Sequence, residues 1–310
     1  MTAVVATLFE TGHYEAGVAA LLNSLVAAGY RGRVWCGFRG VPPAWLEPSA
    51  VKARVGDAIT IRCVPVTTTG HLTMYKPHFM NIVAQEERAA ASLVYLDPDI
   101  VVKCGWPFID RWCARGIAAI ADLNWCMPAS SPVRSDWDDA RRNAAFDVST
   151  SVRSAPLDLY CNAGFVGVSN HCRGFWEAWQ KLIDAAVGAG EAWAEALSEG
   201  RGMGLWQLDQ DLLNIVLMDW ACHAHLMGPE AMDFAPGGCV LSHAAGTPKP
   251  WQRHFIWSAL RGKPPSKIDR EYLRYADGPF RRSSAASVRR KLVCYKAARA
   301  LGVIARRVDH

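Results

Sequence analysis

Residues 94–99, Val-Tyr-Leu-Asp-Pro-Asp, place two carboxylates one residue apart at the end of an apolar run. Read as a buried strand, Ser92–Leu96 delivers Asp97 and Asp99 at its C-terminal end, where open α/β sheets bind ligands. Two carboxylates this close repel unless a cation lies between them, so the pair suits a hard divalent ion with oxygen ligands. Such an ion can bridge the phosphates of a nucleoside diphosphate and stabilise the charge that develops as the diphosphate leaves. The competing reading is an Asp-Pro turn opening the next element, and the tripeptide on its own favours that reading.

Three other segments weigh against the plain turn. Cys161–Val168 (CNAGFVGV) reads as a strand whose small residues allow a ligand or a backbone to approach closely. Leu208–Asn214 (LDQDLLN) sets Asp209, Gln210 and Asp211 at the start of a helix. A helix cap accounts for one of the two acids but not for both. Ser242–Trp251 (SHAAGTPKPW) gathers His243, a glycine turn at Gly246, Lys249 and Trp251 within ten residues. His243 can complete a metal shell and Lys249 can meet phosphate as a point charge. Taken alone, this stretch reads equally well as a Pro-rich turn.

These segments need a scaffold, and the pattern around them supplies one. Val4–Phe9, Arg33–Gly37, Ile59–Pro65, Ser92–Leu96 and Leu159–Ser169 read as strands. Helices are predicted over Tyr14–Gly29, with Val18, Leu21, Leu22 and Leu25 at helical spacing, and over Pro77–Ala91, Gly174–Ala186 and Leu208–Trp220. Strand–helix alternation of this kind implies an α/β sandwich with a mostly parallel central sheet flanked by helices. Residues 128–156 and 187–207 read as long connections that shape an acceptor pocket, with Trp125, Trp137, Trp193 and Trp206 in or beside them.

Composition narrows the class. At 310 residues, half of them apolar, the chain can bury a sizeable core. It has no apolar run long enough for a membrane span, and its first residues lack a basic stretch before Glu10 interrupts the apolar run. A cytoplasmic location is therefore expected. The ten cysteines include no CxxC pair, so no structural zinc site is predicted. The net charge of +5 hides an asymmetry: residues 281–310 hold nine Lys/Arg against Asp309, or +8, which leaves 5 − 8 = −3 for residues 1–280. Within that tail Val288, Leu292 and Tyr295 share a helical face, as in basic amphipathic helices that lie on anionic membranes. A terminal helix docked on its own acidic body is the equal alternative. Nucleic-acid binding has no supporting motif. A catalytic domain over 1–260 and a helical extension over 261–310 are the expected divisions.

In this order and spacing the four segments resemble the family 8 glycosyltransferases of the GT-A fold, which carry a DxD at a strand end, an NAG segment, a DQDxLN segment and a C-terminal HxxGxxKPW. The resemblance covers roughly residues 4–255 and implies retaining transfer of a hexose from a UDP-sugar, with Mn²⁺ or Mg²⁺, to a glycan or lipid-linked glycan acceptor. It assigns Asp97, Asp99 and His243 to the metal. To the donor it assigns Thr7, Leu8, Thr11, Tyr14, Lys76, Asp97, Asn162, Ala163, Gly164, Gly246, Lys249 and Trp251. Asp209, Gln210 and Asp211 fall in the catalytic segment, although Asp211 also reads as a helix-cap residue and Lys76 as a surface lysine. Glu10-Thr11-Gly12-His13 departs from the acidic or Asn-rich turn that relatives place before the residue matching Tyr14. An amide is a weak nucleophile, so a front-face route through an oxocarbenium ion suits Gln210 better than a covalent intermediate. The rival readings are a sugar nucleotidyltransferase, which would carry a Gly-rich phosphate loop that ETGHYEAG is not, and an inactive sugar-nucleotide-binding protein.

Overall fold

The computed structural model describes residues 3–43, 52–55, 59–126, 130, 157, 159–188, 208–220 and 223–308. In chain order its elements begin with β1 (Val4–Glu10), α1 (Glu15–Ala27), β2 (Gly32–Arg39), β3 (Lys52–Val55), β4 (Ile59–Pro65) and α2 (Lys76–Glu86). There follow β5 (Ser92–Leu96), β6 (Ile100–Val102), α3 (Trp106–Cys113), β7 (Ile117–Cys126), β8 (Leu159–Ser169) and α4 (Gly174–Gly188). The chain continues through α5 (Leu208–Asp219), β9 (Ala224–Met227), β10 (Leu241–His243), α6 (Phe255–Leu260), α7 (Lys267–Tyr275) and α8 (Ala285–Val308). These elements pack as two compact units, Met1–Leu8 with Val66–Leu96 and Phe108–Pro229, and Phe9–Pro65 with Asp97–Pro107 and Glu230–His310.

In the first unit the strands run in the order β1-β5-β8-β7-β9. β1 and β5 are parallel, β8 is antiparallel to both β5 and β7, and β9 is parallel to β7, so β8 alone runs against the others. All five residues of β5 are buried, as expected of a strand covered on both faces. Helix α4 turns Phe175, Trp176, Trp179, Leu182 and Ile183 inward, the predicted apolar face. α5 is fastened to β8 by Asn214, whose Oδ1 accepts from the Cys161 amide at 2.7 Å and whose Nδ2 donates to the Cys161 carbonyl at 2.8 Å. That side chain stands in for a paired strand residue and fixes where the helix begins relative to β8.

The second unit holds β3-β4-β2, with β2 and β4 parallel, and the antiparallel ribbon β6–β10. Its core joins Ala20 of α1 and Val101 of β6 to Phe255, Ala259, Tyr272, Leu273, Tyr275, Tyr295 and Ala298. The last two belong to α8, so the basic tail docks within this unit, with Tyr295 and Ala298 buried. Helix α7 opens with a capping box in which Ser266 and Asp269 satisfy each other's backbone amides. Helix α1 stops at Gly29, which takes φ +78.

The predicted strands Ser92–Leu96, Ile59–Pro65 and Leu159–Ser169 form with those bounds. The helix predicted over Pro77–Ala91 begins at Lys76 and ends at Glu86, with Glu87 already off helical geometry. The predicted connections 128–156 and 187–207 lie outside the described residues apart from Ser130, Val187 and Gly188, and so do Trp137, Trp193, Trp206 and the side chain of Trp125. No helix among the described residues is long and apolar enough to cross a membrane.

Candidate active site

The second unit gathers the three predicted metal ligands and Lys249. Register in the β6–β10 ribbon sets His243 opposite Ile100, and the Ala244 amide donates to the Asp99 carbonyl at 3.0 Å, so His243 lies beside the Asp97–Asp99 turn. Its Nε2 is 3.2 Å from Asp99 Oδ1 and 3.9 Å from Asp97 Oδ2. Lys249 closes the other side: its Nζ is 2.5 Å from Asp99 Oδ2 and donates to the Ala244 carbonyl at 2.9 Å. Burial alone would raise the Asp99 carboxyl, but the charges and hydrogen bonds of His243 and Lys249 outweigh it and hold the group well below the usual carboxylate range.

This arrangement fits a divalent cation. One ligand atom each from Asp97, Asp99 and His243 lies within 4.8 Å of the others. An imidazole lone pair does not face two carboxylates stably, so either a proton on Nε2 or a metal ion must lie among them. Two carboxylate oxygens and one imidazole nitrogen form a set that suits Mn²⁺ and is compatible with Mg²⁺.

Around the lysine the aromatic residues interlock. Tyr14 lies edge-on to Trp251 with centroids 5.9 Å apart, and Lys249 Nζ is 5.6 Å from the Tyr14 ring. The Trp251 indole donates to the His13 carbonyl at 2.9 Å. Burial comes first among the effects that raise the Tyr14 hydroxyl, with Lys249 acting against it. Helix α1 must come very close here: a Cβ on Gly17 would lie 2.3 Å from the Pro98 carbonyl and 2.7 Å from the Trp251 ring. Gly246 takes φ +83, a turn conformation that favours glycine. Thr11 follows β1 and is tied to β2, its hydroxyl donating to the Arg39 carbonyl at 3.1 Å.

A second cluster, in the first unit, is built mainly from amides. Asn162 Nδ2 and Gln210 Nε2 both donate to Asp122 Oδ2, at 2.9 and 3.1 Å. Their oxygens are used as well: Gln210 Oε1 accepts from the Ala163 amide at 3.1 Å, and Asn162 Oδ1 from the Gly164 amide at 2.8 Å. Lys76 is buried, with Nζ 3.2 Å from Asp209 Oδ2 and donating to the Ala163 carbonyl at 3.2 Å, which removes the surface-lysine reading. Asp211 accepts from the Tyr160 hydroxyl at 2.7 Å, and burial, followed by that carboxylate, raises the Tyr160 hydroxyl strongly.

Each predicted residue thus falls into one of the two units, and neither unit holds the full set. Thr7 and Leu8 are buried in β1, and the Thr7 hydroxyl finds no partner among the described residues. Sequence reasoning missed Asp122 and Tyr160, and it quoted Asn214 within the LDQDLLN segment without giving it a role. Asp122 carried a usable signal, since it ends the apolar run Ile117–Ala121 just as Asp97 ends Val94–Leu96.

No protein-family model matches the chain, and a search of curated proteins returns no match. Solved structures match in fold. An active-site mutant of the galactosyltransferase LgtC aligns at a TM-score of 0.52 and 16% identity, over 93% of this chain and 99% of that one. The glycosyltransferase GlyE of Streptococcus pneumoniae aligns at a TM-score of 0.52 and 12% identity, over 96% of this chain and 64% of that one. At these identities the likeness is one of architecture. The chain has the GT-A class of fold expected from its sequence, a mostly parallel sheet flanked by helices.

Proposed function

We propose that this chain is a metal-dependent retaining glycosyltransferase of the family 8 kind, moving a hexose from a UDP-sugar to a glycan or lipid-linked glycan acceptor. The observation that carries the reading is the meeting of Asp97, Asp99 and His243 as a cation-binding set, with Lys249 on the same carboxylate. A fold shared with glycosyltransferases supports it. Bound there, Mn²⁺ or Mg²⁺ would neutralise a diphosphate and lower the cost of its departure.

The remaining chemistry belongs to the chain's own groups. Lys249 would exchange Asp99 for a phosphate oxygen, with Gly246 leaving room for the diphosphate and Tyr14, Thr11 and Trp251 holding the nucleoside end. Asn162, Asp209 and Lys76 would hold sugar hydroxyls. Gln210, pinned by Asp122 and Ala163, is a fixed dipole rather than a nucleophile, which favours electrostatic support of an oxocarbenium ion. In that route the bond from the anomeric carbon to the diphosphate oxygen breaks, and the acceptor oxygen bonds to the same face. The acceptor proton passes to the departing diphosphate.

The docked basic helix α8 leaves Leu292, Val293 and Leu301 exposed among Arg289, Arg290, Lys296 and Arg299, which supports peripheral contact with anionic lipid on the inner face of the cytoplasmic membrane. The test is a thermal-shift and hydrolysis screen of UDP- and GDP-sugars with and without Mn²⁺. Metal-dependent stabilisation by one UDP-sugar with slow UDP release is expected. No response to any nucleotide sugar in the presence of metal would sink the reading.

A further inference from the structure

The absence of a CxxC pair predicts no zinc site, yet the fold brings together a second set of metal-type ligands in the first unit. One ligand atom each from His171, Cys172 and His223 lies within 4.8 Å of the other two. His171 and Cys172 occupy the 3-10 turn Asn170–Cys172 that follows β8, and His223 immediately precedes β9. We propose that these three side chains form a Zn²⁺ site.

The backbone under them is held firmly. The Ser169 amide donates to the Gly116 carbonyl and the Asn170 amide to the Ala91 carbonyl, each at 2.8 Å, and the His223 amide donates to the Trp220 carbonyl at 2.9 Å. Gly116 lies so close to the His223 carbonyl that a Cβ there would come within 2.2 Å of the oxygen. The two imidazoles meet edge-on, 6.0 Å between centroids and 72° between planes, rather than stacked. Cys172 is buried beneath them, His223 is half-buried and His171 is exposed, so an ion can enter from the His171 side.

Two imidazole nitrogens and a thiolate form a borderline-soft set, suited to tetrahedral Zn²⁺ and ill suited to the hard cations expected at Asp97 and Asp99. Tetrahedral ligation at about 2.0–2.3 Å needs the three donors a little closer, which the exposed His171 side chain can supply by rotation. Three protein ligands leave one position for water. On binding, the Cys172 thiol gives its proton to solvent and the sulfur takes the metal. Ser169 ends β8 and Asn162 lies seven residues earlier in the same strand, at most about 23 Å away at the rise of a strand. The site is therefore a clamp between the end of β8 and the start of β9, remote from the amide cluster, and it stands independently of the proposed function.

The test uses the full chain, stripped by a chelator and titrated with Co²⁺ as a spectroscopic stand-in. One equivalent should develop tetrahedral visible bands and a near-ultraviolet thiolate charge-transfer band, both abolished by added Zn²⁺. Cys172→Ser should remove the charge-transfer band. Because Cys172 is buried and that variant can fail to fold, the exposed His171→Ala serves as the second test and should weaken Zn²⁺ by about tenfold or more. Asp99→Asn should leave the band intact. A titration with no thiolate band, a band that survives Cys172→Ser, or unchanged affinity in His171→Ala would overturn the site.

Discussion

In the second unit the candidate site is built from Asp97, Asp99 and Lys249 on connecting segments and His243 at the end of β10, and these groups pair with one another. Asp99 has His243 on one oxygen and Lys249 on the other. In the first unit the site is built mainly from amides carried on a strand and a helix, and Asn162 and Gln210 close a network with the Asp122 carboxylate and the backbone of Ala163 and Gly164. The difference has a consequence for ligands. A charged set whose members already pair with one another must exchange partners when a cation and a phosphate arrive, so its state reports binding. An amide set already satisfied by the fold pays no reorganisation when substrate arrives, as preorganised electrostatic sites require. The charged set should therefore govern affinity for the metal and diphosphate, and the amide set should govern the rate of transfer.

The sharpest way to break this division is Asp99→Asn. It removes the shared partner of His243 and Lys249, and transfer should fall by about 10²–10³-fold together with loss of the Mn²⁺-dependent thermal shift by UDP. The circular dichroism spectrum should be unchanged, and full activity in this variant would remove the metal site. Asp122→Asn tests the other side. It keeps the shape but not the charge that aims two amides, and a misaligned Gln210 should lower kcat by about 10²-fold. The UDP and Mn²⁺ thermal shift should survive. If Asp122→Asn abolished that shift as completely as Asp99→Asn does, the proposed separation of roles would be wrong.

Gly17→Ala probes how tightly the charged set is held. Alanine is the better helix former, so propensity alone predicts about 1 kcal/mol of gain. Against that, the new Cβ would meet a backbone oxygen at 2.3 Å and the Trp251 ring at 2.7 Å. Overpacking of this kind costs about 1–3 kcal/mol, so urea denaturation should show a net loss, accompanied by a smaller UDP response. A stabilised variant with normal UDP response would mean that the turn at Pro98 yields easily.

The same contrast explains what was legible in the sequence. β5 and β8 were readable because buried strands are continuous apolar runs, whereas β6, β9 and β10 span only three or four residues and carry no period. Asp97, Asp99, His243 and Lys249 lie in two short segments whose residue types announce cation and phosphate chemistry. The amide set announces less. Lys76 precedes a proline and reads as a surface lysine as readily as a donor contact, since nothing local reveals that Asp209 and the Ala163 carbonyl will meet it. Asp122 is a lone acid after an apolar run, and its partners lie 40 and 88 positions away. Long-range satisfaction of a buried polar group is a property of the fold and leaves no local pattern.

The smallest expected effect concerns Lys291 of α8, whose Nζ donates to the Trp251 carbonyl beneath the charged set. Burial pushes its ammonium down to about 8, from an ordinary 10.5. Below pH 8 the lysine is protonated in both folded and unfolded chains, and the cost of burying its charge is fully present. Between pH 8 and 10.5 the unfolded chain holds the proton that the folded chain has released, so stability rises with pH across that window and gains nothing further above it. Lys291→Met loses the hydrogen bond at every pH, a constant offset, but also the pH-dependent cost. Melting temperatures should thus favour the methionine variant most at pH 7, relative to that offset, and the advantage should shrink steadily towards pH 10. A difference that stays flat over this range would mean that Lys291 keeps its charge in the fold and that α8 holds the Trp251 loop less closely than the geometry implies.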